Sequence, residues 1–524
     1  VSAKGEEQLD FDFDAYVHHQ VEKQAQIPPY QGKRSLDFTP FQRALDGLTG
    51  GQIETLTELL TEPTLAAIQS HFTAGVLTAE ALTLYTLYRI RTFDADKLNS
   101  VLTLNPDALT IAQSLDRERL AGKHRGPLHG VPVLLKDNVA TGDQMPNAAG
   151  SIALAHARAD RDSFVASRLR AAGAVLIGKA NLSEWANFMT STSNNGFSAL
   201  GGQTRNPYGA FDVGGSSSGS AVAVAADLVP LAVGSETSGS ISYPASQNAV
   251  VGIKPSYGLV SRDRVIPITA AMDTLGPMAR TVADAVILLN AMAGLDPQDQ
   301  ATQDAASLHG VDFTRFLRAD ALTGVRVGMC KSTKEIRRGD RAVFERIETV
   351  LRRAGAILVD IPFPDEPGID YRNILHYGMK QDLNSYLRAT HAPIQDLAGI
   401  IAFNAEDLPN RAPYGQDLLE KSEQLSVTAE QYEAEAAENR NKGRALLQQL
   451  MAAHDVALFV SLANYLAPVY APAGCPLITV PAGFREDGEP IGAAFVGAHL
   501  SEPVLIGAAY AYEQHESLRR PPRL

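Results

Sequence analysis

The sequence predicts an α/β fold, with a β-sheet covered by helices on both faces. Three observations predict it. Short apolar runs of strand length alternate with helical stretches between residues 100 and 290. The alternation resumes at Gly324–Gly328, followed by the amphipathic stretch Arg341–Ala354, and returns to strands over residues 456–514. A glycine/serine segment, Gly214-Gly215-Ser216-Ser217-Ser218-Gly219-Ser220, is lodged between apolar segments rather than between two domains. Regular βα alternation needs a sheet buried on both sides.

The elements follow in chain order. Residues 1–55 are polar, with aromatic patches and weak periodicity, and read as an N-terminal extension packed on the main body. From Gly51 to Phe93 apolar residues recur at helical spacing, as in Leu56, Leu59 and Leu60, then Leu77, Leu82, Leu84 and Leu87. Thr78 is placed to cap the second of these stretches. Strands are expected at Val131–Leu135, Ala174–Ile177, Val229–Val233 and Val250–Ile253. Helices are expected at Pro106–Arg119, Ser163–Ala172, Ser220–Ala226 and Thr281–Ala293. Residues 365–450 are charged, helical and rich in Glu, Gln and Ala, with Pro409, Pro413 and Gly415 as interruptions. They read as a helical insertion capping the site. Strands Val456–Val460, Leu477–Val480 and Ala493–Val496 and a helix Glu502–Glu513 close the chain.

The length, 524 residues, suits one large α/β domain or two to three smaller ones. A net charge of −13, with 59 acidic against 46 basic residues, argues against nucleic acid or an anionic membrane as the main partner. Two cysteines, Cys330 and Cys475, indicate neither a disulfide framework nor a cysteine-rich zinc site. No apolar run is long enough to span a bilayer. The polar first residues are not a signal peptide, which favours the cytoplasm. A start at Val1 instead of Met is also what removal of a signal peptide from a secreted or periplasmic protein would leave.

The chemistry sits in the glycine/serine stretches. A second one, Gly234-Ser235-Glu236-Thr237-Ser238-Gly239-Ser240-Ile241, follows the first within one strand length. Upstream, the apolar run Val131–Leu135 ends at Lys136. Two serines and a lysine suffice for nucleophilic catalysis without histidine. Glycine/serine runs are often tethers, but the flanking Ala221–Ala226 and Val229–Val233 read as buried helix and buried strand. Gly215-Ser216-Ser217-Ser218-Gly219 also fits a G-x-S-x-G nucleophile elbow with Ser217 as nucleophile, for which His376, His454 and His499 are the candidate partners. Gly173–Ala180 nearly matches a P-loop, but Ala180 stands where a magnesium-binding Ser/Thr is needed, and its middle consists of strand formers.

Taken together, these motifs resemble those of the amidase signature family. The matching residues are Gly130-Val131-Pro132 running into Lys136-Asp137-Asn138, Gly214 to Ala221, and Gly239-Ser240-Ile241 with Pro244-Ala245. Supporting matches are Gly178–Trp185, Arg205-Asn206-Pro207, Gly252–Pro255 and Asp273–Pro277. The likeness runs from about residue 60 to Arg523. Within the family it is most similar to bacterial peptide amidases, at Glu184–Phe188 and Ala402-Phe403-Asn404. Fatty acid amide hydrolases are more distantly similar.

The resemblance implies a single large domain, residues 56–524, built on a mixed sheet. It implies a Ser-Ser-Lys triad with Ser240 as nucleophile, Ser216 as bridging serine after a cis peptide bond, and Lys136 as base. It places the oxyanion hole on the N–H groups of Thr237, Ser238, Gly239 and Ser240, and uses the backbone at Asn187 to orient the substrate amide. Phe403, Tyr414 and Gln416 are further candidate pocket residues. Val213, Ser238 and Ser242 depart from common family residues, here proline, glycine and arginine, and the last two bear on substrate choice. A lysine acts as base only when neutral, so its proton affinity must fall by several units from the ordinary 10.4, as burial achieves.

The expected activity is hydrolysis of carboxamide C–N bonds, in peptide C-terminal amides or other small amides. It proceeds through an acyl-enzyme with no metal or cofactor, in a monomer or homodimer. The alternatives are a glutamine-hydrolysing component of an amidotransferase and the Ser217 hydrolase.

Overall fold

The computed structural model describes residues 35–331, 340–364 and 367–524. Residues 1–34 of the expected N-terminal extension, and residues 365–366 at the start of the expected cap, lie outside the described residues.

Eleven strands among the described residues form one mixed sheet. In chain order they are β1 (Val101–Leu104), β2 (Pro132–Lys136), β3 (Val175–Ala180), β4 (Leu231–Glu236), β5 (Val251–Lys254), β6 (Thr274–Ala279), β7 (Arg326–Cys330), β8 (Ile357–Ile361), β9 (Leu458–Leu462), β10 (Leu477–Phe484) and β11 (Pro490–Val496). Across the sheet the order is β1-β3-β2-β4-β6-β5-β10-β11-β9-β7-β8. The pairs β2/β3, β2/β4, β7/β9 and β7/β8 are parallel and the remainder antiparallel. Every residue of β2 to β6 and of β9 to β11 is buried, the mark of a sheet covered on both faces.

The helices form where the sequence supplies caps and apolar stripes. Thr64, Thr78, Ser163 and Thr281 each accept the N–H three residues on. Thr428 opens the 26-residue helix Ala429–His454 with a reciprocal capping box through Gln431. The helix Ser218–Ala225 is buried on all sides, as its small and apolar composition requires. Gly219 permits that depth, because a Cβ there would lie 2.3 Å from the carbonyl of Ser100 and 2.4 Å from that of Asn181.

Residues 367–454 form the helices Arg372–Ala389, Leu397–Ala405, Leu408–Arg411, Asp417–Gln424 and Ala429–His454. The helices Arg372–Ala389, Leu397–Ala405 and Asp417–Gln424 share an apolar cluster with the segment Trp185–Met189, while Ala429–His454 packs in a second one through Leu447. No helix among the described residues is long and apolar enough to cross a membrane.

Candidate active site

The site forms at the ends of parallel neighbours β2 and β4. Lys136 is the last residue of β2 and Glu236 the last of β4. Register pairs Leu135 with Val233, so Lys136 lies level with Gly234, beside Ser235. The Lys136 side chain is fully buried. Its Nζ is 2.8 Å from Ser216 Oγ, 3.0 Å from Ser217 Oγ, 3.0 Å from Ser235 Oγ and 3.2 Å from the Ser235 carbonyl. Burial pulls its proton affinity down to about 7, against the nearby carboxylates Asp273 and Glu236, which favour the ammonium.

Ser216 and Ser217 are delivered by the turn leading into the helix Ser218–Ala225. The Gly215–Ser216 peptide bond is cis. The turn is gripped closely: a Cβ at Gly215 would sit 2.5 Å from Ser183 Oγ and 2.7 Å from Asn195 Oδ1. Asp212 accepts the Gly214 N–H at 2.8 Å and the Tyr243 hydroxyl at 3.0 Å. Ser217 bonds to the Ser235 carbonyl (3.0 Å) and receives the Ser235 N–H (3.1 Å). Gly234 makes that approach possible, since a Cβ there would lie 2.9 Å from Ser217 Oγ. None of His376, His454 or His499 is a partner of Ser217. His376 meets Ser422 Oγ at 2.8 Å and His499 meets the Gly474 carbonyl at 3.0 Å.

Ser240 belongs to the turn after β4. Its carbonyl accepts the Ser217 N–H at 3.2 Å, which ties the two serine segments together. Gly239 has φ +87°, and a Cβ there would lie 2.7 Å from Asn464 Nδ2, so only glycine fits. The N–H groups of Thr237, Ser238 and Ser240 have no protein acceptor among the described residues. The Gly239 N–H differs: it donates to Glu236 Oε1 at 2.9 Å. Thr237 Oγ1 donates to Asp273 at 2.6 Å, and that carboxylate also accepts the N–H groups of Ile268 and Thr269.

The other expected residues lie on the segment Trp185–Asn187 and among the helices of residues 367–454. Asn187 is exposed and ends a run of three positive-φ residues, Trp185 to Asn187. Tyr414 sets its ring edge-on to Phe197 at 4.8 Å, and its carbonyl accepts the hydroxyls of Thr190 and Thr192. Phe403 lies under the Arg411 guanidinium at 3.7 Å. Gln416 is buried between the helices Leu397–Ala405 and Asp417–Gln424 and engages Asn404, Ile401 and Glu420. Sequence reasoning missed Ser235, Asn138, Tyr371 and Tyr470. Asn138 Nδ2 donates to Ser235 Oγ at 3.0 Å, and the Tyr371 hydroxyl, just before the helix Arg372–Ala389, meets Ser238 Oγ at 3.0 Å. Asn138 and Ser235 lie inside the motifs; the two tyrosines carry no local signal. The near P-loop Gly173–Ala180 is mostly strand β3.

Residues 81–464 match the family model described as Amidase. A probable amidase of Arabidopsis thaliana is 40% identical over 442 residues, spanning 81% of this chain and 85% of that protein. One component of the glutamyl-tRNA(Gln) amidotransferase of Chloroflexus aurantiacus is 34% identical, over 86% of this chain and 96% of that protein. Among solved structures, an amidase family protein from Bacillus anthracis aligns with TM-score 0.89 at 39% identity, covering 93% of this chain and 97% of that one. The native peptide amidase from Stenotrophomonas maltophilia aligns with TM-score 0.83 at 42% identity, covering 88% and 98%.

Proposed function

The chain belongs to the amidase signature family of amide-hydrolysing enzymes, and from that premise we propose that it cleaves the C–N bond of peptide C-terminal amides and other small carboxamides through Ser240, Ser216 and Lys136. The observation that carries this reading is the fully buried Lys136 amine, 2.8 Å from Ser216 Oγ, with its proton affinity lowered to about 7. Near neutral pH such an amine is substantially unprotonated and able to act as base. The 42% identity to a peptide amidase supports the substrate class.

In this scheme neutral Lys136 takes the proton of Ser216 as Ser216 takes that of Ser240. Ser240 Oγ attacks the carbonyl carbon. The free N–H groups of Thr237, Ser238 and Ser240 receive the oxyanion, with Gly239 at the bend. The C–N bond then breaks, the leaving nitrogen takes the relayed proton, and water releases the acyl group from Ser240 by the same path. Asn187, Phe403, Tyr414 and Gln416 remain the candidates for shaping the substrate pocket.

Ammonia or amine release from peptide amides, fatty amides, aryl amides and glutamine tests the reading. Ser240→Ala is expected to abolish turnover, and Ser217→Ala to leave a measurable part of it. Loss with Ser217→Ala alone revives the elbow mechanism. Glutamine turnover that needs an added partner points to a component of an amidotransferase. The acid limb of kcat/KM is expected at a midpoint near pH 7, because protonation of Lys136 removes the base.

A further inference from the structure

A carboxylate as deeply buried as Glu236 ordinarily requires compensation by a cation or by a full set of hydrogen bonds. Five donors meet it here. Oε1 accepts the Gly239 N–H (2.9 Å) and the Tyr470 hydroxyl (2.9 Å). Oε2 accepts the Ile241 N–H (2.7 Å), the Ser242 N–H (2.9 Å) and Ser242 Oγ (3.2 Å). Three of the five are backbone amides of the segment that carries Ser240.

We propose that Glu236 is a positioning residue for amide hydrolysis: its two oxygens hold the turn 237–242 in the shape that presents Ser240, and Tyr470 holds the carboxylate. The inference rests on Ser240 being the nucleophile. The carboxylate sorts the N–H groups of the turn. Those of Gly239, Ile241 and Ser242 are spent inside, while those of Thr237, Ser238 and Ser240 stay free for a developing oxyanion. The same strand end serves the base, because Ser235, the preceding residue, contacts Lys136 through both its hydroxyl and its carbonyl. From outside, Asn464 closes on Gly239 and Tyr470 closes on Glu236, so residues 464–470 buttress the turn. The Ser242 and Tyr470 hydroxyls lie 2.8 Å apart, so their two protons are shared between each other and the carboxylate.

Glu236 also acts through its charge. It favours the protonated form of Lys136 against burial. The other groups facing this region are Tyr470, Tyr371, Asp273 and Lys254, whose Nζ lies 5.9 Å from the Tyr470 ring centre.

The test is Glu236→Gln in the full chain, with a peptide amide as substrate and Ser240→Ala alongside. A glutamine amide offers one acceptor oxygen, and its NH2 faces donors on the other side. The expected result is a fall in kcat of about 10²–10³-fold with little change in KM, comparable to loss of an oxyanion donor. The acid limb of kcat/KM should move to lower pH, since Lys136 loses a nearby anion. A carboxylate that only stabilises the fold would lower the folded fraction and leave kcat per folded molecule at the parental value. Tyr470→Phe should lower kcat by roughly 3–10-fold, the scale of one hydrogen bond. It should move the limb the opposite way, because the carboxylate charge is then less offset. Turnover in Ser240→Ala would remove the nucleophile on which the inference rests. An inactive Ser240→Ala beside a Glu236→Gln enzyme with parental kcat and parental acid limb overturns the bracing role itself. Should Glu236→Gln fail to fold by circular dichroism, Tyr470→Phe and Ser242→Ala decide, and parental kcat and limb in both overturn it.

Discussion

Two lysines on adjacent strands, Lys136 on β2 and Lys179 on β3, are both fully buried, yet their surroundings differ in kind. Register pairs Leu135 with Lys179 and Lys136 with Ala180, so the two side chains leave opposite faces of the sheet. On one face Lys136 meets three serine hydroxyls and a carbonyl. On the other, Lys179 donates to the Val139 carbonyl at 2.5 Å, with Asp137 nearby favouring its charge. Burial lowers both, to about 7 and about 8. Depth therefore does not distinguish them. A carbonyl only accepts, whereas a hydroxyl also has a proton to give. Only the face with hydroxyls offers a neutral amine something to deprotonate.

The largest expected effect is on turnover. Lys136→Met should lower kcat/KM by about 10²–10⁴-fold, the range of a lost general base. Lys179→Met should keep kcat per folded molecule within a small factor, while urea unfolding records a loss of about 1–3 kcal/mol from the stranded Val139 carbonyl. Equal losses of activity in the two variants would break the contrast.

A second measurement sharpens it through stability against pH. The folded affinity of Lys136 for its proton lies below the unfolded value. Between pH 7 and about 10.4 the unfolded chain holds a proton that the folded chain has released, so parental stability rises with pH across that window. Lys136→Met lacks this term. Its melting temperature should gain most over the parent near pH 7, and the gain should shrink toward pH 10. A gain that grows with pH would contradict a lysine neutral in the fold.

The smallest effect is expected of Asn138→Ala, which removes one donor to Ser235 Oγ while leaving Lys136, Ser216 and Ser240 in place. Roughly a 3–10-fold loss of kcat follows from one hydrogen bond. No change would mean that Ser235 is held well enough by Lys136 and Ser217.

Much of the sheet was legible because buried strands read as apolar runs: β2 to β5, β7 and β9 to β11 fall within a few residues of their expected places. Three strands were not. Thr274–Ala279 contains Gly276 and Pro277, residues that ordinarily argue against a central strand, yet Pro277 pairs with Val233 there. Val101–Leu104 is four residues long, and Ile357–Ile361 is a sheet-edge strand with exposed positions at Ile357 and Asp360. In the site, Lys136 and Ser216 come within 2.8 Å because strand β2 carries the lysine and the turn into the helix Ser218–Ala225 carries the serine, both inside motifs that the sequence displays. Tyr371 and Tyr470 were invisible, since tertiary packing alone brings each to the turn.

The Tyr470–Glu236 hydrogen bond spans 234 residues of sequence. At a synthesis rate of about 5–20 residues per second, roughly 10–50 s separate the emergence of the two partners. The serine and lysine segments thus leave the ribosome well before the phenol that completes their support. On the proposed mechanism, a newborn chain carries Lys136, Ser216 and Ser240 long before it carries the finished site, so hydrolytic competence would arrive with the C-terminal segment rather than with Ser240.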